Sequence, residues 1–326
     1  MNLQSKKNVY DIQNPSTDTI SEISFSYLHK MMLTSSWDGT VRLYNPESTT
    51  GFLNSFSCNK PVLSCSFSKD KPAEAYASSP DGTLFVFDLE KNTMSEIKAH
   101  EEGVKSVRSF TNTIVTGSWD KTVKFWDTRT AAVSYTLECP GKVYGMDLED
   151  KLLAVACSGN KIISVKLDDI NNKKETTSRL SYMLKSIGCG KDNQTIMVGS
   201  IEGKCELFYH RNTSSVLSTG SIVFRSHRKD NNVFAVNTVS INPLTSNMIA
   251  AGGSNGDVIL YDTPSRGKLI THNETNPITA GRFTSDGLFY VYATGNDWSK
   301  GYETTYVPVS LKVLDLRSSG INVPSS

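Results

Sequence analysis

The sequence predicts an all-β protein, a seven-bladed propeller whose ring is closed by a strand near the N-terminus. The first supporting observation is a repeated pattern of small residues, an acidic or Asn turn, and an alternating apolar strand. The second is the spacing of the copies, which suits four strands in each repeat. The third is that no stretch sustains helical periodicity over three turns.

The repeated pattern is clear in three copies and weaker in four others. The clear copies read SSWDGTVRLYN (35–45), SSPDGTLFVFD (78–88) and GSWDKTVKFWD (117–127). The turn residues of all seven copies are Asp38, Asp81, Asp120, Asn160, Glu202, Asn255 and Asp297. Successive turn residues are 39 to 43 residues apart, except for the 53 residues between the fifth and the sixth. A blade of four strands occupies about 40–45 residues, so each copy predicts one blade.

The two ends of the chain are expected to close the ring. One blade cannot bury its apolar face alone, so the blades must close on one another. Closure also removes the unpaired edges of the first and last blades. We therefore expect residues 8–13 to complete the last blade, beside a strand within 307–316. Residues 1–326 then form a single propeller domain with a short flexible tail at about 317–326.

The composition argues against several classes of function. The chain has 34 Lys and Arg against 33 Asp and Glu, and this net charge of +1 does not suit a protein that coats nucleic acid by bulk charge. No run approaches the roughly 18 apolar residues of a membrane span, and residues 1–13 lack the apolar centre of a secretory signal. The six cysteines form no C-x-x-C pair and the five histidines are scattered, which favours free thiols in the cytosol or nucleus. We expect no metal and no cofactor.

One group of residues has the composition of a hydrolase's catalytic triad. The third repeat contains His100, Ser118, Asp120 and Trp126, from which a Ser–His–Asp triad could be assembled. Sequences of this kind resemble the WD-repeat family, in which such residues hydrogen-bond within one blade because tight turns leave buried polar groups to be paired. The chain also has no Walker loop. The resemblance therefore implies a structural tetrad, and we expect that the protein is not an enzyme.

Two tryptophans point to a binding face. Trp37 and Trp119 each stand between the Ser and the Asp of a turn, where a side chain has no role in the core. Both should project from the face on which the turns between second and third strands gather. Tryptophan is enriched at interface hot spots, so the pair favours a peptide-binding platform. The alternative is that each ring folds down on its neighbouring turn. Trp126 lies inside an alternating strand and is expected in the core.

Across nearly its whole length the chain resembles the WD-repeat propellers of messenger-RNA export at the nuclear pore and their siblings in the spindle checkpoint. The shared segments are SSWDGTVRLY (35–44), VTGSWDKTVKFWDTR (115–129), KVYGMD (142–147), GSIEGKCELFY (199–209), FRSHR (224–228) and VFAVNTVSINP (233–243). Members of this family bind a short acidic segment, the GLEBS segment, across the propeller face. The segment belongs to a Phe-Gly nucleoporin for the export factor, and to checkpoint kinases or kinase-like scaffolds for the sibling.

The resemblance implies which residues of the face bind the partner. Trp37 and Trp119 match the face tryptophans that pack on the GLEBS segment. Lys185 aligns with a position that is usually Arg and that pairs with GLEBS glutamates. Lysine keeps the charge but loses the bidentate fork, so a change in affinity or in partner choice is expected.

The resemblance also implies a second, lateral site. Arg228, Trp298 and Lys300 match a basic, aromatic side groove of the export factor, which has been associated with nucleic-acid and viral-protein contacts in the family. Base stacking together with a few cations would let a nearly neutral protein hold single-stranded RNA there. The alternative for Trp298 is that it packs inside a long insertion in the last blade.

The sequence favours the export factor over its checkpoint sibling. The sibling typically lacks the stretch NDWSKG (296–301), although SSWDGTVRLY and the compact N-terminus would suit it. We therefore expect a nuclear-pore scaffold that binds a GLEBS nucleoporin and supports mRNA export, located in the nucleus, at the nuclear envelope and in the cytoplasm. The alternative is a spindle-checkpoint adaptor that recruits GLEBS-containing proteins to kinetochores. In either role the chain is expected to act as a monomer within a larger complex.

Overall fold

The computed structural model describes residues 8–27, 30–210, 220–301 and 305–318. Seven sheets of four antiparallel strands form the described part of the chain, together with one two-stranded hairpin. The single helical element in these ranges is a 3₁₀ turn at Ser158–Asn160. No helix in the described part of the chain is long and apolar enough to cross a membrane. The predicted seven-bladed propeller is confirmed.

In each blade the strands follow one another outward from the central axis, and the first strands of neighbouring blades contact one another around it. β1 (Val9–Ile12) belongs to the last blade. Blade 1 contains β2 (Ile20–Phe25), β3 (Met32–Ser36), β4 (Thr40–Tyr44) and β5 (Phe52–Ser57). Blade 2 contains β6 (Ser64–Phe67), β7 (Glu74–Ser78), β8 (Thr83–Asp88) and β9 (Thr93–Lys98). Blade 3 contains β10 (Val104–Phe110), β11 (Thr113–Ser118), β12 (Thr122–Asp127) and β13 (Ala132–Glu138).

The remaining blades repeat this order. Blade 4 contains β14 (Val143–Glu149), β15 (Leu152–Cys157), β16 (Lys161–Lys166) and β17 (Lys174–Thr177). Blade 5 contains β18 (Leu184–Cys189), β19 (Thr195–Ser200), β20 (Lys204–Tyr209) and β21 (Ile222–Arg225). The hairpin strands are β22 (Arg228–Lys229) and β23 (Asn232–Val233). Blade 6 contains β24 (Val236–Ile241), β25 (Met248–Gly253), β26 (Asp257–Asp262) and β27 (Gly267–Asn273). Blade 7 contains β28 (Ile278–Phe283), β29 (Phe289–Thr294), β30 (Ser310–Asp315) and β1.

The N-terminal strand closes the ring as predicted. β1 pairs antiparallel with β30, in a register that joins Val9 to Leu314 and Ile12 to Leu311. Ile12 is only 2% exposed because it packs in the cluster shared by blades 7 and 1. Within the predicted tail at 317–326, Arg317 stacks over a ring of blade 7. Residues 319–326 lie outside the described residues.

The apolar core is divided into seven clusters, one between each pair of neighbouring blades. Between blades 1 and 2, for example, Phe56 of β5 and Phe87 of β8 have ring centroids 5.0 Å apart. Each cluster draws its side chains from two blades. A blade therefore depends on both of its neighbours for the burial of its two faces, as in other repeat proteins.

The long interval between the fifth and sixth repeats contains the hairpin β22–β23, whose register joins Arg228 to Val233. His227 precedes the hairpin and is fully buried, with its Nδ1 2.9 Å from Asn255 Oδ1. Gly253 leaves the space for this ring, because an added Cβ would come 2.4 Å from His227 Nδ1. The hairpin is thus fastened to the turn of blade 6.

All six cysteines are free, as the sequence predicts, and all except Cys139 are buried. Burial raises the pKa of Cys58 and of Cys205 to about 12. Both thiols therefore stay protonated at neutral pH and behave as small apolar side chains between blades.

Candidate functional site

The polar network expected in blade 3 is present. His100 Nδ1 lies 2.8 Å from Asp120 Oδ2, and His100 Nε2 lies 2.7 Å from Thr116 Oγ1. Trp126 donates from Nε1 to the same Thr116 oxygen at 2.9 Å. Burial lowers the pKa of His100, and the bond to Asp120 opposes this shift only in part. A neutral imidazole that donates to Asp120 and accepts from Thr116 satisfies the whole network.

The structure corrects the predicted hydroxyl member of the tetrad. Ser118, which the resemblance places in the tetrad, donates instead to the carbonyl of Gly103 at 3.0 Å and accepts from the backbone N–H of Asp120 at 3.1 Å. Thr116 takes its place beside the histidine. Thr116 and Ser118 are two residues apart on β11, so both point to one face and the alternation does not separate them. Ser118 therefore stabilises the turn, and the tetrad is completed by Thr116.

A depression of about 710 Å³ opens on the face where the turns between second and third strands gather. We call it the face depression. Its lining includes Trp37 of blade 1, Trp119 of blade 3 and Trp298 of blade 7. Tyr144 and Met183 add to the apolar part of the lining. Three indole rings from separate blades thus face one concave surface, which is the setting of an interface anchor.

The two predicted face tryptophans differ in how far they project. Trp37 is 42% exposed. Trp119 is half-buried, and its ring covers Gly103 so closely that an added Cβ would come 2.4 Å from Trp119 Cε3. Trp119 therefore folds partly onto the neighbouring turn while it still lines the face depression, whereas Trp37 is the more exposed of the two.

Trp298 is held at the face depression by the insertion of blade 7. It is 54% exposed and has a φ of 60°, a left-handed conformation that large side chains rarely adopt. Its backbone N–H donates to Asn296 Oδ1 at 2.9 Å, and its carbonyl accepts from Gly301 at 3.0 Å. The adjoining Asp297 accepts from Asn237 of blade 6 at 2.8 Å. These contacts fix the loop, and the indole remains accessible.

Two lysines form the floor of the face depression. Lys105 lies on β10 and Lys185 on β18, and both also line a channel of about 90 Å³ that continues below along the axis. Burial lowers the pKa of both ammonium groups. The resemblance implied Lys185 but not Lys105. A charged residue inside the apolar first strand of a blade was the available signal for Lys105.

The residues predicted for a side groove are not brought together at the face depression. Trp298 lines it, whereas Arg228 and Lys300 do not. Arg228 belongs to the hairpin between blades 5 and 6, where its Nε donates to the carbonyl of Glu202 at 3.0 Å. Lys300 is exposed in the same insertion as Trp298. A single-stranded RNA site made of these residues therefore stays a prediction.

A buried ion network lies below the channel, between it and a cavity of about 350 Å³ at the opposite end of the axis. Arg108 donates from Nε to Asp147 Oδ1 at 2.9 Å, and its Nη2 lies 2.5 Å from Glu22 Oε1. Arg282 Nη1 lies 3.2 Å from Asp147 Oδ1, and its Nη2 lies 3.7 Å from Glu149 Oε2. Burial acts to raise the pKa of Asp147, but Arg282 and Arg108 outweigh it and hold the value at about 2. This network, which sequence reasoning missed, ties four blades together across the axis.

Comparison with known proteins places these features in a family. Residues 6–45 and 91–127 match the WD domain, G-beta repeat family. The WD40 repeat protein poxJ of Penicillium oxalicum is 35% identical, over 89% of this chain and 88% of its own length. The Poly(A)+ RNA export protein of Schizosaccharomyces pombe is 30% identical, over 95% of this chain and 90% of its own length. The Mitotic checkpoint protein BUB3.1 of Arabidopsis thaliana is 29% identical, over 89% of this chain and 88% of its own length.

A more distant relative of known structure also supports the fold. The solved structure of U3-55K matches with a TM-score of 0.80, over 94% of this chain and 98% of that chain. At 14% identity this likeness supports the propeller alone. The relatives confirm both resemblances drawn from the sequence, to the export proteins and to their checkpoint sibling. The chain therefore belongs to the WD40-repeat family that includes the poly(A)+ RNA export proteins.

Proposed function

We propose that this protein is a non-enzymatic scaffold of the nuclear pore, which binds a GLEBS segment of a Phe-Gly nucleoporin and supports the export of mRNA. The observation that carries the proposal is the grouping of Trp37, Trp119 and Lys185 in the face depression. An extended acidic segment there would lay apolar side chains on the indoles and turn carboxylates to the lysine. The protein would then be found in the nucleus, at the nuclear envelope and in the cytoplasm.

The export role is supported by relatives that match nearly the whole chain. The Poly(A)+ RNA export protein and the mRNA export factor of Chaetomium thermophilum each align over at least 94% of it. The alignment therefore includes every blade that lines the face depression. The relatives therefore support a role in mRNA export. The geometry of the face depression supports an acidic peptide as the partner.

The site is tested by changing its aromatic wall and its cation together. Trp119→Ala combined with Lys185→Glu should weaken binding of a synthetic GLEBS peptide about a hundredfold or more, because a hot-spot truncation costs at least about 2 kcal/mol and the new charge repels the peptide. Isothermal titration calorimetry measures the affinity, and thermal unfolding checks that the fold is kept.

A matched control uses the outer strand of blade 6. Leu269 is 40% exposed and follows Lys268, and neither lines the face depression. Leu269→Ala with Lys268→Glu repeats the loss of an apolar group and the reversal of a charge, and should leave affinity within about twofold. Equal affinity of the parent and the Trp119, Lys185 variant would contradict the proposed site.

The second candidate function is that of a spindle-checkpoint adaptor, favoured by the similarity to the checkpoint relative. Both functions would use the same face, so binding in vitro does not separate them. A tagged copy followed through the cell cycle does. A nuclear rim, with polyadenylated RNA retained in the nucleus after depletion, would support export. Spots at kinetochores in arrested mitosis, with normal RNA distribution, would support the checkpoint role instead.

A further inference from the structure

A cavity of about 350 Å³ opens at the end of the axis opposite the face depression. We call it the axial cavity. Tyr27, Lys191 and Ser285 line it and are exposed, so solvent and small molecules can enter it. No described residue lines both the axial cavity and the face depression. The axial cavity is therefore a separate site, to which the proposed function assigns no role.

The charges around the axial cavity cancel one another. Lys69, Lys191 and Asp150 join the five residues of the buried ion network in its lining. Four cationic and four acidic side chains therefore surround it. A lining without net charge favours neither a lone cation nor a lone anion, whereas a ligand with one charge of each sign would be complementary to it.

One ion pair of this lining is incompletely hydrogen-bonded. Arg282 of blade 7 donates from Nη1 to Asp147, but its Nη2 lies 3.7 Å from Oε2 of Glu149 in blade 4, beyond hydrogen-bond distance. Within the described part of the chain, Arg282 makes no other hydrogen bond and Glu149 accepts none. Glu149 lines the axial cavity and not the channel, so the two side chains meet at the cavity. The pair thus leaves N–H donors and carboxylate oxygens available to a ligand.

The surrounding charges do not fully compensate for the burial of Glu149. Burial raises the pKa of its carboxyl, and the charges of Arg282 and of the two lysines oppose this shift only in part. The Lys69 ammonium group lies over two aromatic rings, each with its centroid 5.3 Å away. A ligand cation in contact with the carboxylate would stabilise its charged form.

An apolar wall lies across the axis from Glu149. Phe25 of blade 1, Ile241 of blade 6 and Phe283 of blade 7 line the axial cavity at the ends of their first strands. Glu149 ends the first strand of blade 4, on the far side of the ring. The volume is at the lower end of the range of about 300–1,000 Å³ for small-molecule sites. The axial cavity therefore suits a molecule of the size of one amino acid, with its charged groups at one end.

We propose that the axial cavity binds a free α-amino acid with an apolar side chain, whose carboxylate accepts from Arg282 and whose ammonium group donates to Glu149. The apolar side chain of the ligand lies against the wall of Phe25, Ile241 and Phe283. In an α-amino acid a single carbon atom joins the two charged groups, so both can reach side chains that are neighbours. A charge-assisted hydrogen bond at each end then replaces the loose contact of the pair.

The class of ligand is tested by ligand-observed NMR titrations of the full chain. L-leucine, L-methionine and L-phenylalanine are the probes, and at least one should bind with a dissociation constant of about 1 mM or lower. For the probe that binds most tightly, the amide lacks the carboxylate and the deaminated acid lacks the ammonium group. Each should bind at least about tenfold more weakly than the amino acid. If no probe binds, or if the amide or the deaminated acid binds as tightly as the amino acid, the inference is refuted.

Glu149→Gln should have opposite effects on two of these ligands. The amino acid should bind at least about tenfold more weakly, because its ammonium group loses an anionic partner. The deaminated acid should bind more tightly, because Glu149 no longer repels its carboxylate. Glu149 accepts no hydrogen bond from the described residues, so the variant should unfold at the same temperature as the parent. Differential scanning fluorimetry checks this.

Glu138→Gln is the matched control, because Glu138 is exposed on the outer strand of blade 3 and does not line the axial cavity. It removes the same charge and should change each affinity less than about twofold. Equal effects of the two substitutions would show that only the net charge of the protein matters, and would overturn the inference. Unchanged binding of both ligands by Glu149→Gln would overturn it as well. Neither result bears on the face depression, so the proposed function is tested separately.

Discussion

Replacing Arg108 by Met should lower the free energy of unfolding by about 3–5 kcal/mol, the usual cost of removing one partner from a buried ion pair. Arg108 is 8% exposed and joins Glu22 of blade 1 to Asp147 of blade 4. Methionine keeps much of the length of the side chain, so the main change is that the buried carboxylate of Asp147 and the partly buried carboxylate of Glu22 lose a cation. Urea denaturation at pH 7, with the slope compared between variants, measures the effect.

The same substitution should change the response to acid. The pKa of Asp147 is about 2 in the folded protein, below its value of about 3.9 in an unfolded chain. A carboxyl with a depressed pKa stabilises the fold above the unfolded value, and this contribution is lost as the pH falls from about 4 to about 2. Without Arg108 the pKa of Asp147 rises toward its unfolded value, so less stability is lost on acidification, and the difference in unfolding free energy between the parent and Arg108→Met should shrink when the urea denaturation is repeated between about pH 4 and about pH 2.

An exposed arginine provides the control for Arg108. The side chain of Arg129 is 71% exposed and its Nη2 lies 2.6 Å from Asp127 Oδ2. Exposed pairs of this kind contribute at most about 1 kcal/mol, so Arg129→Met should have a small effect. If Arg108→Met lowered the free energy of unfolding no more than Arg129→Met, the buried ion network would not be a source of stability.

Replacing Thr116 by Val should lower the free energy of unfolding by about 1–3 kcal/mol for each of the two buried groups that it leaves without a partner. These groups are His100 Nε2 and Trp126 Nε1, which both meet at Thr116 Oγ1. Valine has the same shape as threonine, so the loss reports hydrogen bonding and not packing. Denaturant unfolding of the purified variants measures it.

Thr128 of the same blade is the matched control. Its hydroxyl oxygen is buried and makes no hydrogen bond to the described residues, so Thr128→Val should leave the free energy of unfolding nearly unchanged or raise it. Equal losses at Thr116 and Thr128 would show that the network contributes nothing beyond the burial of a hydroxyl. They would also remove the reason for placing Thr116 in the tetrad.

Most of the fold could be predicted because each repeat contains its own turn. Asp38 and Asp120 mark equivalent turns, and the spacing between such residues determines the number of blades. The closing strand was predictable from the need to cover an edge, and β1 lies within the expected residues. The hairpin at Arg228 was visible only as an excess of length, because it has no counterpart in other repeats.

The site residues that occupy equivalent positions in different repeats could be predicted. Those whose neighbours lie across the central channel could not. Trp37 and Trp119 occupy the same place in two turns, so the repeat places them on one face. Lys105 and Arg108 lie on β10, and their neighbours come from blades that are distant in sequence. No spacing along the chain reports which first strands face each other across the channel. The assignment of Ser118 to the tetrad was wrong for a local reason, since Thr116, which bonds His100 instead, lies on the same face of β11.

The pairing of β1 with β30 also means that blade 7 cannot be completed until β30 has been translated. In blade 7 the first strand to leave the ribosome pairs with the last, since Val9 is joined to Leu314. About 300 residues must be made between them, which at about 5–20 residues per second takes about 15–60 s. During that interval β1 has no partner and the apolar sides of blades 1 and 7 have not met. The nascent chain is therefore most exposed to chaperones, and to pairing with other chains, until its final strand is translated.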